Sequence, residues 1–169
     1  MNKIQTPVAD ILIIDDIPNN LRLLSAMLLE RGYKVRKALN GEWGLQAVET
    51  APPDLILLDV MLPDYSGYEI CKRLKESPKT YNIPVIFISA LKDQMDKVLA
   101  FDLGAVDYIT KPFQIQEVAT RIDTHLTLHR QKLQMEMLSG KLDEEMQKRQ
   151  QAEIAFLQLL KFWLNNSNN

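Results

Sequence analysis

Ile11-Leu12-Ile13-Ile14-Asp15-Asp16 is a run of four apolar residues closed by two carboxylates, and its reading decides the fold. A short apolar run bounded by polar residues is what a strand buried on both faces of a parallel sheet requires. The pattern returns at Leu55-Ile56-Leu57-Leu58-Asp59. Further on, Asp107-Tyr108-Ile109-Thr110 runs into Lys111-Pro112. In an open parallel sheet, ligands bind outside the carboxyl ends of the strands. The charges that close these runs therefore converge on one edge, and that edge is the expected site.

Working outward, five strands are predicted at Asp10–Asp15, Lys34–Ala38, Leu55–Asp59, Val85–Ser89 and Asp107–Thr110. Helices fall between them at Asn19–Arg31, Glu42–Thr50, Gly67–Glu76 and Met95–Leu103. The first is amphipathic, with Leu21, Leu24, Met27 and Leu28 at helical spacing. Gly32 and Gly104 stand where helices one and four should be capped. Strand–helix alternation predicts an α/β fold, a right-handed, doubly wound five-stranded parallel sheet.

Every proline lies at or before Pro112, and beyond Gly104 only Gly140 interrupts the chain. A fifth helix starting near Gln114 therefore has no obvious stop. Heptad positions a (Leu128, Met135, Leu142, Arg149, Phe156) and d (Gln131, Leu138, Glu145, Ala152, Leu159) form a coiled-coil seam, faulted at Gln131, Glu145 and Arg149. Continuous to Leu164, that helix would extend roughly 75 Å, too long to bury its apolar stripe on so small a domain. The expected organisation is a globular domain over 8–125, a helical extension over 126–164 and a polar tail over 165–169.

Composition narrows the function. A net charge of −2, with seven basic and seven acidic side chains after Gln114, argues against direct nucleic-acid binding. No apolar stretch is long enough to span a bilayer, so membrane insertion is not expected. Cys71 is the only cysteine, so no intrachain disulfide can form, and a cytoplasmic setting is the default.

Three carboxylates in one pocket resist ionising together unless a cation joins them. Mg²⁺ suits that need, preferring one or two carboxylates with waters and a phosphate oxygen. Asp15 and Asp16 fit the metal-holding role. Asp59 can ligate the ion and also attack phosphorus. Lys111 can pair first with Asp59 and then with a phosphoryl oxygen, and Ser89 offers a hydroxyl to the same group. A cis bond before Pro112 would aim Lys111 inward.

From Ala9 to Thr124 the chain resembles the receiver domain of two-component response regulators (the CheY-like superfamily). The resemblance rests on Ile11–Asp16, Asp54–Pro63, Gly67, Ile86–Ala90, Gly104–Tyr108 and Lys111–Phe113. It implies a flavodoxin-like sheet of order 2-1-3-4-5 and Mg²⁺-dependent phosphorylation of Asp59 by a histidine kinase or phosphotransfer protein. It assigns Asp15, Asp16, Asp59 and the backbone carbonyl of Met61 to the metal. Ser89 and Tyr108 match a switch pair, in which the hydroxyl is drawn to the phosphate and the ring follows. Ser89 replaces the threonine common in the family, which implies a looser switch. Met61 cannot orient an attacking water, which implies a moderately long-lived phosphoryl state.

Three functions compete. The first is a phosphorylation-controlled switch, not an enzyme, that signals through its extended C-terminal helix as a homodimer, with a fused or separate output domain. The second is a phosphorylation-independent dimerisation module on the same fold. The third, a haloacid-dehalogenase-like phosphohydrolase, needs an Asp-x-Asp pattern after the first strand, and Asp15-Asp16-Ile17-Pro18 lacks it. His125 and His129, four apart on one helix, lack any third metal ligand nearby and are expected at an interface or in solvent. Cys71 and Trp43 are expected to pack, without a functional role.

Overall fold

The computed structural model describes residues 8–90 and 94–167. Of the expected polar tail, residues 168 and 169 lie outside the described residues. The chain divides into a unit ending at Thr127 and a second beginning at Leu128.

The first unit alternates strand and helix: β1 (Asp10–Ile14), α1 (Pro18–Glu30), β2 (Lys34–Ala38), α2 (Gly41–Thr50), β3 (Leu55–Leu58), α3 (Gly67–Glu76), β4 (Val85–Ser89), α4 (Gln94–Asp102) and β5 (Asp107–Thr110). The opening turns of α5 (Ile115–Asn166) complete it. The strands pair in parallel in the order β2-β1-β3-β4-β5. β1 and β3 stop one residue short of the ranges predicted from sequence, so Asp15 and Asp59 stand beyond the strands. α1 starts at Pro18, a residue earlier than predicted, because proline at the first helical position gives up a donor that has no partner there anyway.

The period-two alternation of the strands builds two cores. Ile11 and Ile13, Leu55 and Leu57, Ile86 and Ile88, and Ile109 face α1 and α5. Their neighbours Leu12 and Ile14, Ile56 and Leu58, and Val85 and Phe87 face the buried residues of α2, α3 and α4. Covered on both sides, β3 and β4 are buried at every position. The edge strand β2 reads differently, with Lys34 and Lys37 exposed. Arg36 crosses over that edge, donating to the Ala47 and Ala51 carbonyls at the end of α2 and pairing with Asp10 at 2.9 Å.

Val118, Ala119, Ile122 and Leu126 bury one stripe of α5 in the first unit. In the second unit α5 continues to Asn166, and every residue from Arg130 to Ser167 is exposed. Among the described residues, no helix is long and apolar enough to cross a membrane. A Cβ added at Gly140 would meet nothing within 4 Å, so the glycine contributes only its conformational cost. Gly140→Ala is expected to stabilise the helix by about 1 kcal/mol. Circular dichroism against temperature checks this, and an unchanged or lower midpoint would contradict it.

Candidate functional site

The ladders continue past the strand ends and carry the charged residues with them. Asp15 N–H donates to the Ala38 carbonyl at 3.1 Å, Asp59 N–H to Ile14 at 2.9 Å, and Lys111 N–H to Ser89 at 2.8 Å. Three strand ends thus deliver Asp15, Asp59 and Lys111 to one edge. Asp15 and Asp59 are buried there, and Asp16 is exposed. One oxygen from each of the three carboxylates can be chosen so that all lie within 4.8 Å of one another.

Lys111 answers part of that charge. Its Nζ lies 2.6 Å from Asp59 Oδ2 and 3.0 Å from Asp15 Oδ2. The Lys111–Pro112 bond is cis. The second Asp59 oxygen accepts from Met61 N–H at 3.1 Å. Asp15 Oδ1 accepts from the Ile17 amide at 2.8 Å, and its Oδ2 accepts from the Asn20 side chain at 3.0 Å beside Lys111. Burial raises the Asp59 pKa above its usual value. The Lys111 and Met61 hydrogen bonds pull the other way, while Asp15 adds to the rise. Lys111 is held above its own usual value despite burial, because both carboxylates favour its charged form.

A divalent cation fits this donor set. Three carboxylates face a single ammonium, and hard oxygen ligands are what Mg²⁺ takes. Met61 meets Asp59 through its amide, and its side chain stands in solvent.

The pairing predicts a pH-dependent defect. A group whose folded pKa is raised contributes stability below its unfolded pKa and loses it as pH rises through the folded value. Lys111→Met removes the nearest cation, so Asp59 moves further up. Without divalent cations the variant should be less stable near neutrality by about 3 kcal/mol. That deficit should shrink as the pH falls towards the Asp59 pKa. Urea unfolding near neutral pH and in mild acid checks it, and a pH-independent deficit would refute the coupling.

Ser89 and Tyr108 lie on the paired strands β4 and β5, and both are buried. The Tyr108 phenol is raised mainly by burial, against hydrogen bonds with Ser89 and Tyr68 that lower it. Its ring occupies the inward position, 6.2 Å from the Phe87 ring. Tyr68 extends this hydroxyl chain, and burial with its neighbours Tyr108 and Asp96 pushes its pKa up to about 12.

Sequence reasoning missed four supporting residues: Asn20, Asp64, Tyr68 and Asp107. Asp64 receives the Gly41 and Glu42 amides, each at 2.8 Å, and so ties the loop after β3 to the start of α2. Asp107 pairs with Arg121 at 2.6 Å and His125 at 2.8 Å. His125, expected at an interface or in solvent, is instead a partly buried tie between β5 and α5. Cys71 is fully buried, and burial pushes its thiol up to about 11. Trp43 lies half-exposed on the surface of α2, beside Pro18, Leu21 and Leu39.

The family model for the response regulator receiver domain matches residues 11–123. A Vibrio cholerae protein named "Probable cyclic di-GMP phosphodiesterase" is 40% identical over 144 residues, 79% of this chain and 32% of that protein. The Synechocystis "DNA-binding dual master transcriptional regulator RpaA" is 44% identical over 112 residues, 66% of this chain and 46% of that one. The chain thus spans less than half the length of either relative. Among solved structures, the signal receiver domain of a signal transduction histidine kinase from Syntrophus aciditrophicus is 35% identical with a TM-score of 0.66. That match covers 71% of this chain and 91% of that one.

Proposed function

Since the chain belongs to the response regulator receiver domain family, we propose that it accepts a phosphoryl group on Asp59 from a histidine kinase or phosphotransfer protein. The observation that carries this reading is the setting of Asp59: buried, bound by Lys111 and the Met61 amide, and flanked by Asp15 and Asp16.

In the transfer, an Asp59 carboxylate oxygen forms a bond to phosphorus as the bond from phosphorus to the donor breaks. The donor leaves with the electron pair, and a histidine donor then takes up a proton on its freed nitrogen. Lys111 exchanges its Asp59 contact for a phosphoryl oxygen, and the Ser89 hydroxyl donates to another. Asp15, Asp16, Asp59 and the Met61 carbonyl would hold Mg²⁺, which supplies positive charge to the transferring phosphoryl group.

The added charge, about −1.5 to −2, draws on Ser89 and so on the hydroxyl chain through Tyr108. The change passes to the surface around α4 and β5, and from there to the helical extension over 126–164, paired with a second copy. The chain is a switch in this reading, and its chemistry is limited to gaining and losing its own phosphoryl group. A fused or separate output domain would read that change.

The test is the intact mass after incubation with Mg²⁺ and acetyl phosphate. A gain of one phosphoryl group that EDTA prevents is the expected result. No gain would leave a phosphorylation-independent pairing module.

A further inference from the structure

In the second unit Leu128, Met135, Leu138, Leu142, Phe156, Leu159 and Trp163 are exposed on one helix at a and d spacing. Glu145 and Arg149 interrupt this stripe near its middle. Resting on the proposed dimer, we infer that two copies of this helix pair antiparallel, about a twofold axis beside Gln147.

The layers decide between the two orientations. In a parallel pair every residue meets its own copy. Arg149 would then stack on the partner's Arg149 and Glu145 on the partner's Glu145, leaving opposite charges to meet only diagonally between layers. Ala152 on the partner's Ala152 would make a thin layer beside the thick one of two Phe156 rings.

In an antiparallel pair, a residues meet d residues. Centred at Gln147, Arg149 faces the partner's Glu145, and the twofold axis makes that ion pair twice. The same register sets Leu142 against the partner's Ala152, Phe156 against the partner's Leu138, Met135 against the partner's Leu159, and Trp163 against the partner's Gln131. Leu128 falls against the partner's Asn166. The bulky Phe156 and Trp163 meet smaller residues, and both central charges are neutralised within their own layer.

The register is specified as well as the direction. A slip of one heptad places Glu145 on the partner's Phe156 or Leu142, and Arg149 on the partner's Ala152 or Leu138. Either slip leaves a charge against an apolar residue, a cost that makes charged seam positions effective register markers. Gly140 falls on the outer face of this pair, where its open surroundings agree. The one like-charged contact, Lys148 near the partner's Lys148, lies on the solvated flank.

Disulfide trapping separates the outcomes. Chains carrying Leu142→Cys and chains carrying Ala152→Cys are oxidised alone and after mixing, with the parent chain as control because its Cys71 is buried. The antiparallel pair predicts a mixed disulfide and almost none in either variant alone. A disulfide within the Leu142→Cys protein alone would establish parallel pairing and overturn the inference while leaving the dimer intact. Sedimentation equilibrium of the parent chain tests the dimer itself, and a monomer there would overturn both. As a second measure, Glu145→Arg should weaken the dimer at least tenfold, and adding Arg149→Glu should restore it.

Discussion

Asp59→Asn is expected to take up no phosphoryl group under conditions that label the parent chain. The amide fills the carboxylate's volume in a site that is 4% exposed, so the pocket keeps its shape. Its oxygen can still accept from the Met61 amide, and the backbone bond from Asp59 N–H to Ile14 is untouched. What disappears is the anionic oxygen that attacks phosphorus. The effect is therefore a loss of labelling, down to background, with a stability change smaller than that of Lys111→Met, because Lys111 keeps its Asp15 partner at 3.0 Å. Intact mass and urea unfolding on one preparation measure both. Labelling that persisted in this variant would mean that Asp15 or Asp16 is the acceptor, and would reassign the nucleophile within the same pocket.

Among the glycines of the first unit, Gly67→Ala is expected to give the largest loss of stability. A Cβ there would lie 2.2 Å from the Asp59 carbonyl oxygen and 2.8 Å from Val60 Cα. Both neighbours are backbone, so no side-chain rotation relieves the contact. The loop after β3 or the start of α3 must move, and overpacking of this kind costs about 3 kcal/mol. In a unit this size that lowers the melting midpoint by roughly 10 °C. The displaced segment carries Asp59 itself, and the Gly67 amide bonds the Val60 carbonyl at 2.8 Å. Phosphoryl uptake should therefore slow along with the loss of stability. Thermal melting and the rate of mass gain are the measurements, and an unchanged midpoint would show that the close approach is not a constraint.

The parts of the molecule legible in its sequence are those set by local pattern. β1, β3 and β4 are apolar runs ended by a charge or a hydroxyl, and a strand buried on both faces leaves few other readings of such a run. Because strand ends share one edge of a parallel sheet, the pattern alone gathers Asp15, Asp59, Ser89 and Lys111. It does not gather Asn20, Asp64 and Asp107. Asp64 and Asp107 bond across gaps set by how helices dock, and Asn20, only five residues from Asp15, reaches it because the turn after β1 folds back. His125 shows the same limit. Its spacing from His129 marks only the helix, whereas its partner Asp107 lies on β5. The strand ends were overrun by one residue at Asp15 and Asp59 because those residues still donate to the next strand while their side chains turn into the pocket.

The guarded outer strand β2 bears on how copies of this protein can meet. A bare sheet edge is a template onto which another chain can add strand by strand. Lys34, Arg36 and Lys37 crowd that edge with cations that Asp10 only partly neutralises, and the Arg36 guanidinium reaches across to α2. A second copy arriving with its own β2 would bring the same surplus of positive charge. Crowded solutions of the protein should accordingly resist the joining of sheets through two β2 edges.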